Sequence, residues 1–198
     1  MAVAFTEEDR GRIRAALVAA GEELFAAQGL KKTSLEELVA PADIAKGSFY
    51  AFFESKEALY AEVMVSRAPA LAELIAPALA GPPGEGGLVA LMRGMVEQLG
   101  ADPFYRRLMA RPEELEAVAR RIGPEELSRV TPYLVKPVLD YLAAGQAAGA
   151  FRADVPPEAL LGVLRTAGLL VLNRDRYGQE YEQVLDTTIT ALAKGLMS

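Results

Sequence analysis

Seven residues between positions 33 and 56 carry polar chemistry at a spacing that suits an anion: Thr33, Ser34, Lys46, Gly47, Ser48, Tyr50 and Lys56. Thr33 and Ser34 fall at an expected helix start, where a hydroxyl and free backbone N–H groups form a natural phosphate site. Lys46, Gly47 and Ser48 lie near the start of the next helix, and small or polar side chains there let a backbone approach base edges. A glycine inside a helix costs up to about 1 kcal/mol against alanine, and close approach to a base edge is a reason to carry one. Lys46 would meet phosphate, and the Tyr50 hydroxyl would donate to phosphate from the flank. Lys56 stands in the first turn of a further helix, where it opposes the helix dipole; a phosphate there would suit it. This is the chemistry of binding duplex DNA, not of turnover.

The composition narrows the alternatives. The 198 residues contain no His and no Cys. Disulfides, thiolate chemistry and His-based metal or proton-transfer sites are therefore excluded. No cofactor and no metal are expected, and an enzyme would need a carboxylate or Lys/Tyr pair that does not stand out. The hydrophobic fraction is 52%, much of it Ala and Leu, which favours helix and allows a sizeable core. Long period-two runs are missing, so the expected fold is all-α. No apolar run reaches the ~18 residues of a membrane span, and the opening MAVAFTEEDRGR is acidic where a signal peptide is basic. A cytoplasmic location is expected.

Helices must position the seven residues. Thr6-Glu7-Glu8-Asp9 is a capping start, and Ile13, Leu17, Ala20, Gly21, Leu24 and Phe25 recur on one face. Gly29 stands where a C-terminal cap belongs, so the first helix should run from about Glu7 to Gln28. Thr33-Ser34-Leu35-Glu36 fits a capping box with Thr33 as N-cap. Pro41 stops that second helix near Ala40. The third should run from Ile44 or Ala45 to Ala51, with Phe49 and Phe53 inward. Ser55 caps the fourth, in which Pro69 suggests a kink or break.

Charge is an objection. The chain carries a net −6, and residues 1–60 hold seven Lys or Arg against ten Asp or Glu. Phosphate contact depends on the surface presented rather than the total, so the positive set must be local: Lys31, Lys32, Lys46 and Lys56, with Arg10 and Arg14 as further candidates.

From about Ile13 to Met64 the chain resembles the N-terminal domain of TetR-family transcriptional regulators. The resemblance rests on LFAAQG, TSLEELV and IAKGSFYAFFESKEALY, running without a gap through the core motif. It covers roughly a third of the chain; the remainder matches only in being helical. It implies a helix-turn-helix head over residues 7–66 and a helical effector-binding and dimerisation domain over residues 67–198. It also implies a ligand-responsive regulator, expected to be a repressor, that binds palindromic operator DNA as a homodimer. The positions of the seven polar residues match the family's phosphate contacts and recognition helix. Asp43, Ala45 and Phe52 depart from the residues often found there. Ala45 removes a hydroxyl cap, which Asp43 would then supply, and Phe52 cannot hydrogen-bond a base or phosphate.

Past the head, GPPGEGG from Gly81 to Gly87 reads as a linker. Gly123-Pro124 breaks the chain again, and Thr131-Pro132 opens a helix that Pro137 would kink. Two apolar helices follow, Leu160–Leu172 and about Gln179–Leu196. One reading helix sees too few bases, so two half-sites require a symmetric dimer. These last two helices are the best interface, with Gly162, Ala167 and Gly168 allowing close approach; the resemblance implies the same four-helix arrangement. Met92, Met95, Phe104, Tyr105, Met109, Tyr133, Tyr141 and Arg165 are candidates to line an effector pocket. Their apolar and aromatic bias suggests an effector of the same kind, with Arg165 or Arg106 holding a carboxylate. The alternatives are a helical adaptor that has lost DNA binding and an enzyme on a helical scaffold.

Overall fold

The computed structural model describes residues 5–121, 129, 132–133 and 135–198. Helix dominates, and among the described residues no strand forms beyond one isolated antiparallel bridge between Phe151 and Met197. The helices are α1 (Glu7–Lys32), α2 (Leu35–Val39), α3 (Lys56–Leu79), α4 (Glu85–Ala101), α5 (Pro103–Ala110), α6 (Pro112–Arg121), α7 (Lys136–Ala147), α8 (Pro157–Val171), α9 (Arg174–Tyr177) and α10 (Tyr181–Gly195). Short 3-10 turns cover Ala40–Ala42, Lys46–Ala51 and Gly178–Glu180. The chain forms two compact units, one from Met1–Arg67 with Pro103–Arg129, the other from Ala68–Asp102 with Val130–Ser198.

In the first unit, Thr6 caps α1 through a reciprocal capping box with Asp9. Ile13, Leu17 and Phe25 are buried on its inner face, with Leu38 and Val39 of α2, Phe49, Phe53, and Leu59, Tyr60 and Val63 of α3. The Phe25, Tyr60 and Phe104 rings form a ladder with centroids 5.0 and 5.2 Å apart, joining α1, α3 and α5. At Gly29 the helical path of α1 is interrupted, with φ 82° and ψ 168°. That left-handed region suits glycine, and a Cβ there would also collide with the Arg107 guanidinium, which is paired with Glu114 at 2.6 Å.

In the second unit, Leu88, Leu91 and Met92 of α4 meet Val138 and Leu142 of α7, Leu160, Leu161 and Leu164 of α8, and Leu185 and Ile189 of α10 in one apolar core. Gly168 lets α8 lie close to Leu99, whose Cδ1 would be 2.6 Å from an added Cβ. The end of the chain is pinned back: Arg152 N donates to Leu196 O at 3.0 Å and Ser198 N donates to Ala150 O at 3.2 Å.

Several elements differ from expectation. Pro69 and Pro77 lie inside α3 rather than ending it. Both are exposed, so water can serve the carbonyls they leave unpaired. Pro137 occupies the first turn of α7 and opens that helix instead of kinking it. α4 begins at Glu85, inside the stretch that composition reads as linker. Gly123-Pro124 and Thr131 lie outside the described residues.

Candidate nucleic-acid interface

The second helix starts one residue later than its capping pattern suggests. Ser34, not Thr33, is the N-cap: its Oγ accepts from Glu37 N at 3.2 Å, and Ser34 N donates to the Glu37 carboxylate at 2.8 Å. The Ser34 backbone N–H first, then the Gln28 amide and the Ser34 hydroxyl, donate to the Glu37 carboxylate and hold it below the ordinary glutamate range. Thr33 instead ends α1. Its hydroxyl donates to Gly29 O at 2.8 Å, and the residue is 1% exposed. The expected phosphate-facing hydroxyl of Thr33 is therefore turned inward, a second donor to a carbonyl that also accepts from Thr33 N at 3.2 Å.

Lys56 has a similar fate. Its ammonium donates to Leu30 O at 3.0 Å and to Thr33 O at 2.6 Å. A cation at the negative end of α1 is well placed, and this offsets its poor position at the start of α3. The second fact is visible in the sequence; the first needs the fold, because Leu30 and Thr33 lie 26 and 23 positions away.

The segment expected to read bases is a 3-10 turn over Lys46–Ala51 rather than an α-helix from Ile44. Ala45 precedes it and supplies no side-chain cap. Nor does Asp43: it adopts φ 52° as the residue closing the Ala40–Ala42 turn. Phe49 is fully buried and Phe53 nearly so, which fixes the inner side. Lys46, Gly47 and Tyr50 are exposed on the other side, Tyr50 to 60%, and Ser48 is half-buried. A Cβ on Gly47 would touch nothing. Lys46 pairs with Glu36 at 2.6 Å, both well exposed. The pairing pushes the lysine up and the glutamate down from their ordinary values.

The other basic side chains divide. Lys31 and Lys32 are exposed at the end of α1. Arg10 and Arg14 lean across to the end of the Lys46–Ala51 turn, donating to Ala51 O at 3.2 Å and Phe52 O at 3.4 Å. Phe52 packs against Phe5, ring centroids 5.5 Å apart, and under Arg10.

The head's sequence signature is matched by a family model. The model for bacterial regulatory proteins of the tetR family covers residues 17–63, and the HTH-type transcriptional repressor DhaR of Mycobacterium sp. (strain GP1) is 28% identical over 189 residues, spanning 92% of this chain and 93% of that protein. Residues 17–63 thus carry a TetR-type head, and the chain is similar to TetR-family proteins along most of its length. The proteins it resembles there are regulatory proteins, DhaR among them a transcriptional repressor. Solved TetR-family structures share its fold over nearly the whole chain. A TetR-family protein from Vibrio parahaemolyticus superposes with a TM-score of 0.68 at 20% identity, covering 94% of this chain and 99% of that one. RolR in complex with resorcinol superposes with a TM-score of 0.65 at 17% identity, covering 96% and 90%.

The eight candidate effector residues fall into different environments. Phe104 and Tyr105 are buried in the first unit, where the Arg67 guanidinium lies over both rings at 5.5 and 5.3 Å. Met92 and Tyr141 are buried in the second unit's core, and Met95 is half-buried on α4. The Tyr141 hydroxyl is engaged with the loop before α4, accepting from Gly84 N at 3.3 Å and donating to Pro82 O at 3.4 Å. Tyr133 and Arg165 are exposed. The Met109 side chain lies outside what the structure describes. No group of His, Cys, Asp or Glu among the described residues suits a metal ion, and no described helix is long and apolar enough to cross a membrane.

Of the three small residues expected between subunits, Ala167 and Gly168 are buried in the chain's own core, and Gly162 is exposed. Gly162, Thr166 and Leu169 form an outer stripe on α8. Shallow concavities run along the outer face of α10 beside Gln183, Thr187, Thr190, Ala191 and Lys194.

Proposed function

We propose that this protein is a repressor that binds a palindromic operator as a homodimer in the cytoplasm and is released by a small apolar or aromatic effector. Residues 7–66 read DNA, and residues 67–198 hold the second subunit and the effector. The observation that carries this is the two-sided turn at Lys46–Ala51: Phe49 anchors it while Gly47 and Tyr50 face outward with no protein over Gly47. A backbone with nothing above it can approach base edges.

In this reading Ser34, Lys46, Gly47, Ser48 and Tyr50 contact the duplex. Thr33 and Lys56 lie under the phosphate site and contribute by holding the end of α1 where the N-terminus of α2 faces the backbone. Lys46 exchanges Glu36 for a phosphate on binding. The dimer uses the outer faces of α8 and α10, where small side chains allow close packing. DhaR is a repressor and RolR is seen with resorcinol; both support the reading of a repressor answering to a small ring compound. The effector is placed in the body beside Met92 and Met95, since Phe104 and Tyr105 belong to the head unit and the Tyr141 hydroxyl is already engaged.

Gel shifts on the DNA upstream of the protein's own gene test this directly. A shift at low salt that weakens steeply towards physiological salt is expected, because phosphate contacts release counterions. No shift at low salt, without added effector, would leave a helical adaptor as the better reading.

A further inference from the structure

We infer that Arg10 and Arg14 are positioning residues that hold the reading turn in register and do not themselves contact phosphate; this rests on the DNA-binding role proposed for Lys46–Ala51. The turn is poorly stabilised by its own backbone. It has one short 3-10 run, no side-chain cap at its start, and Gly47 inside it. Such runs have weak hydrogen-bond geometry, and a glycine adds freedom. Its last carbonyls have no partner within a continuing helix, since the chain leaves helical geometry at Phe53 before α3.

Arg10 and Arg14 are four residues apart and so share a face of α1. Each makes two contacts with the far end of the turn. Arg10 donates to Ala51 O at 3.2 Å and lies over the Phe52 ring at 5.4 Å. Arg14 donates to Phe52 O at 3.4 Å and lies over the Phe53 ring at 4.5 Å. A guanidinium is planar, so its face can stack while its edge donates; an ammonium cannot reproduce this pair of contacts. Arg14 is also fixed from its other side by Glu62 of α3 at 3.0 Å, and Glu62 meets Arg129 at 3.1 Å. Both guanidinium groups are thereby aimed at the protein backbone at the base of the turn. Phe52, which offers DNA no hydrogen bond, becomes a platform held between Phe5 and Arg10.

Phosphate contacts and base contacts leave different signatures, which makes the inference testable. Arg10→Gln, Arg14→Gln and Arg14→Lys are compared with wild type by fluorescence anisotropy on operator and on unrelated duplex across a salt series. The expected result for both Gln variants is a loss of about tenfold on operator, a small effect on unrelated duplex, and an unchanged slope of log K against log salt. Arg14→Lys, which keeps the charge, should behave like Arg14→Gln. A slope lower by about one with equal loss on both duplexes, or full rescue by Lys, would make these residues phosphate contacts and overturn the inference. Amide exchange without DNA separates the inference from the reading beneath it. The Phe52 and Phe53 N–H groups, both bonded to Phe49 O, should exchange faster in the Gln variants while the α10 amides keep wild-type protection. Unchanged exchange at Phe52 and Phe53 would overturn it. If wild type binds no DNA but these amides respond, the structural role stands and the DNA reading falls.

Discussion

The turn at Lys46–Ala51 and the helix α10 are held in place by opposite means. α10 is fifteen residues long and buries Tyr181, Leu185, Ile189 and Ala193 along one face. Its position is set by apolar area, and its outer face is left to small and polar side chains. The turn is six residues long and is held by Phe49 beneath it and by side chains reaching across from other elements to its ends. A segment of that kind can be displaced by losing one donor; a helix like α10 cannot. The contrast fits the proposed function, in which the reading element is adjusted by neighbours and the body keeps the spacing of two such elements.

Three substitutions sharpen the contrast. The largest effect is expected from Leu169→Glu on the outer stripe of α8, where the residue is 45% exposed in the single chain. Charge facing charge across a symmetric interface should convert dimer to monomer in sedimentation and lower operator affinity by at least a hundredfold, about 3 kcal/mol. A stable dimer with unchanged affinity would move the interface elsewhere. Next is Lys56→Met, which keeps the stem and removes both bonds to the end of α1. Hydrogen bonds to charged groups contribute about 1.5–3 kcal/mol, so urea unfolding should show a loss of roughly that size. The salt slope of DNA binding should be unchanged, which a phosphate-contacting lysine would not allow.

The smallest effect concerns the Ser34–Glu37 box. Ser34→Ala should cost about 0.5–2 kcal/mol of local stability. The pH response follows from the direction of the shift. Because folding lowers the Glu37 pKa, its contribution is fully present above the ordinary glutamate value and is lost as pH falls through the lowered one. NMR titration of Glu37 should show the lowered midpoint in wild type and only a small move towards the ordinary value in Ser34→Ala, which removes the hydroxyl while keeping the larger contributions of the Ser34 backbone N–H and the Gln28 amide.

The overlapping patterns at residues 33–37 show where sequence legibility ends. Thr33…Glu36 and Ser34…Glu37 both fit a capping box, and no local rule chooses between them. The choice is made at the end of α1, where Thr33 closes the helix by donating both its N–H and its hydroxyl to Gly29 O. Gly29 itself, the start of α1 and its periodic face were all legible, because caps and period are local. Pro69 was misleading because the cost of a proline depends on which side of α3 it occupies. Ala167 and Gly168 signalled close packing correctly, but a small residue does not say whether the neighbour belongs to the same chain. Arg10, Arg14 and Lys56 read as candidates for phosphate because sequence shows charge and not direction. Their partners are backbone carbonyls 23 to 41 positions away.

The empty space around Gly47 has an evolutionary consequence. Most positions in the head are constrained twice, by folding and by whatever the surface binds. Gly47 is spared the first constraint at its first side-chain atom, since an added Cβ meets no protein atom. Drift there is filtered by the partner alone. Among diverging copies of this gene, position 47 is a place where target preference can change in a single step without the scaffold having to adapt first.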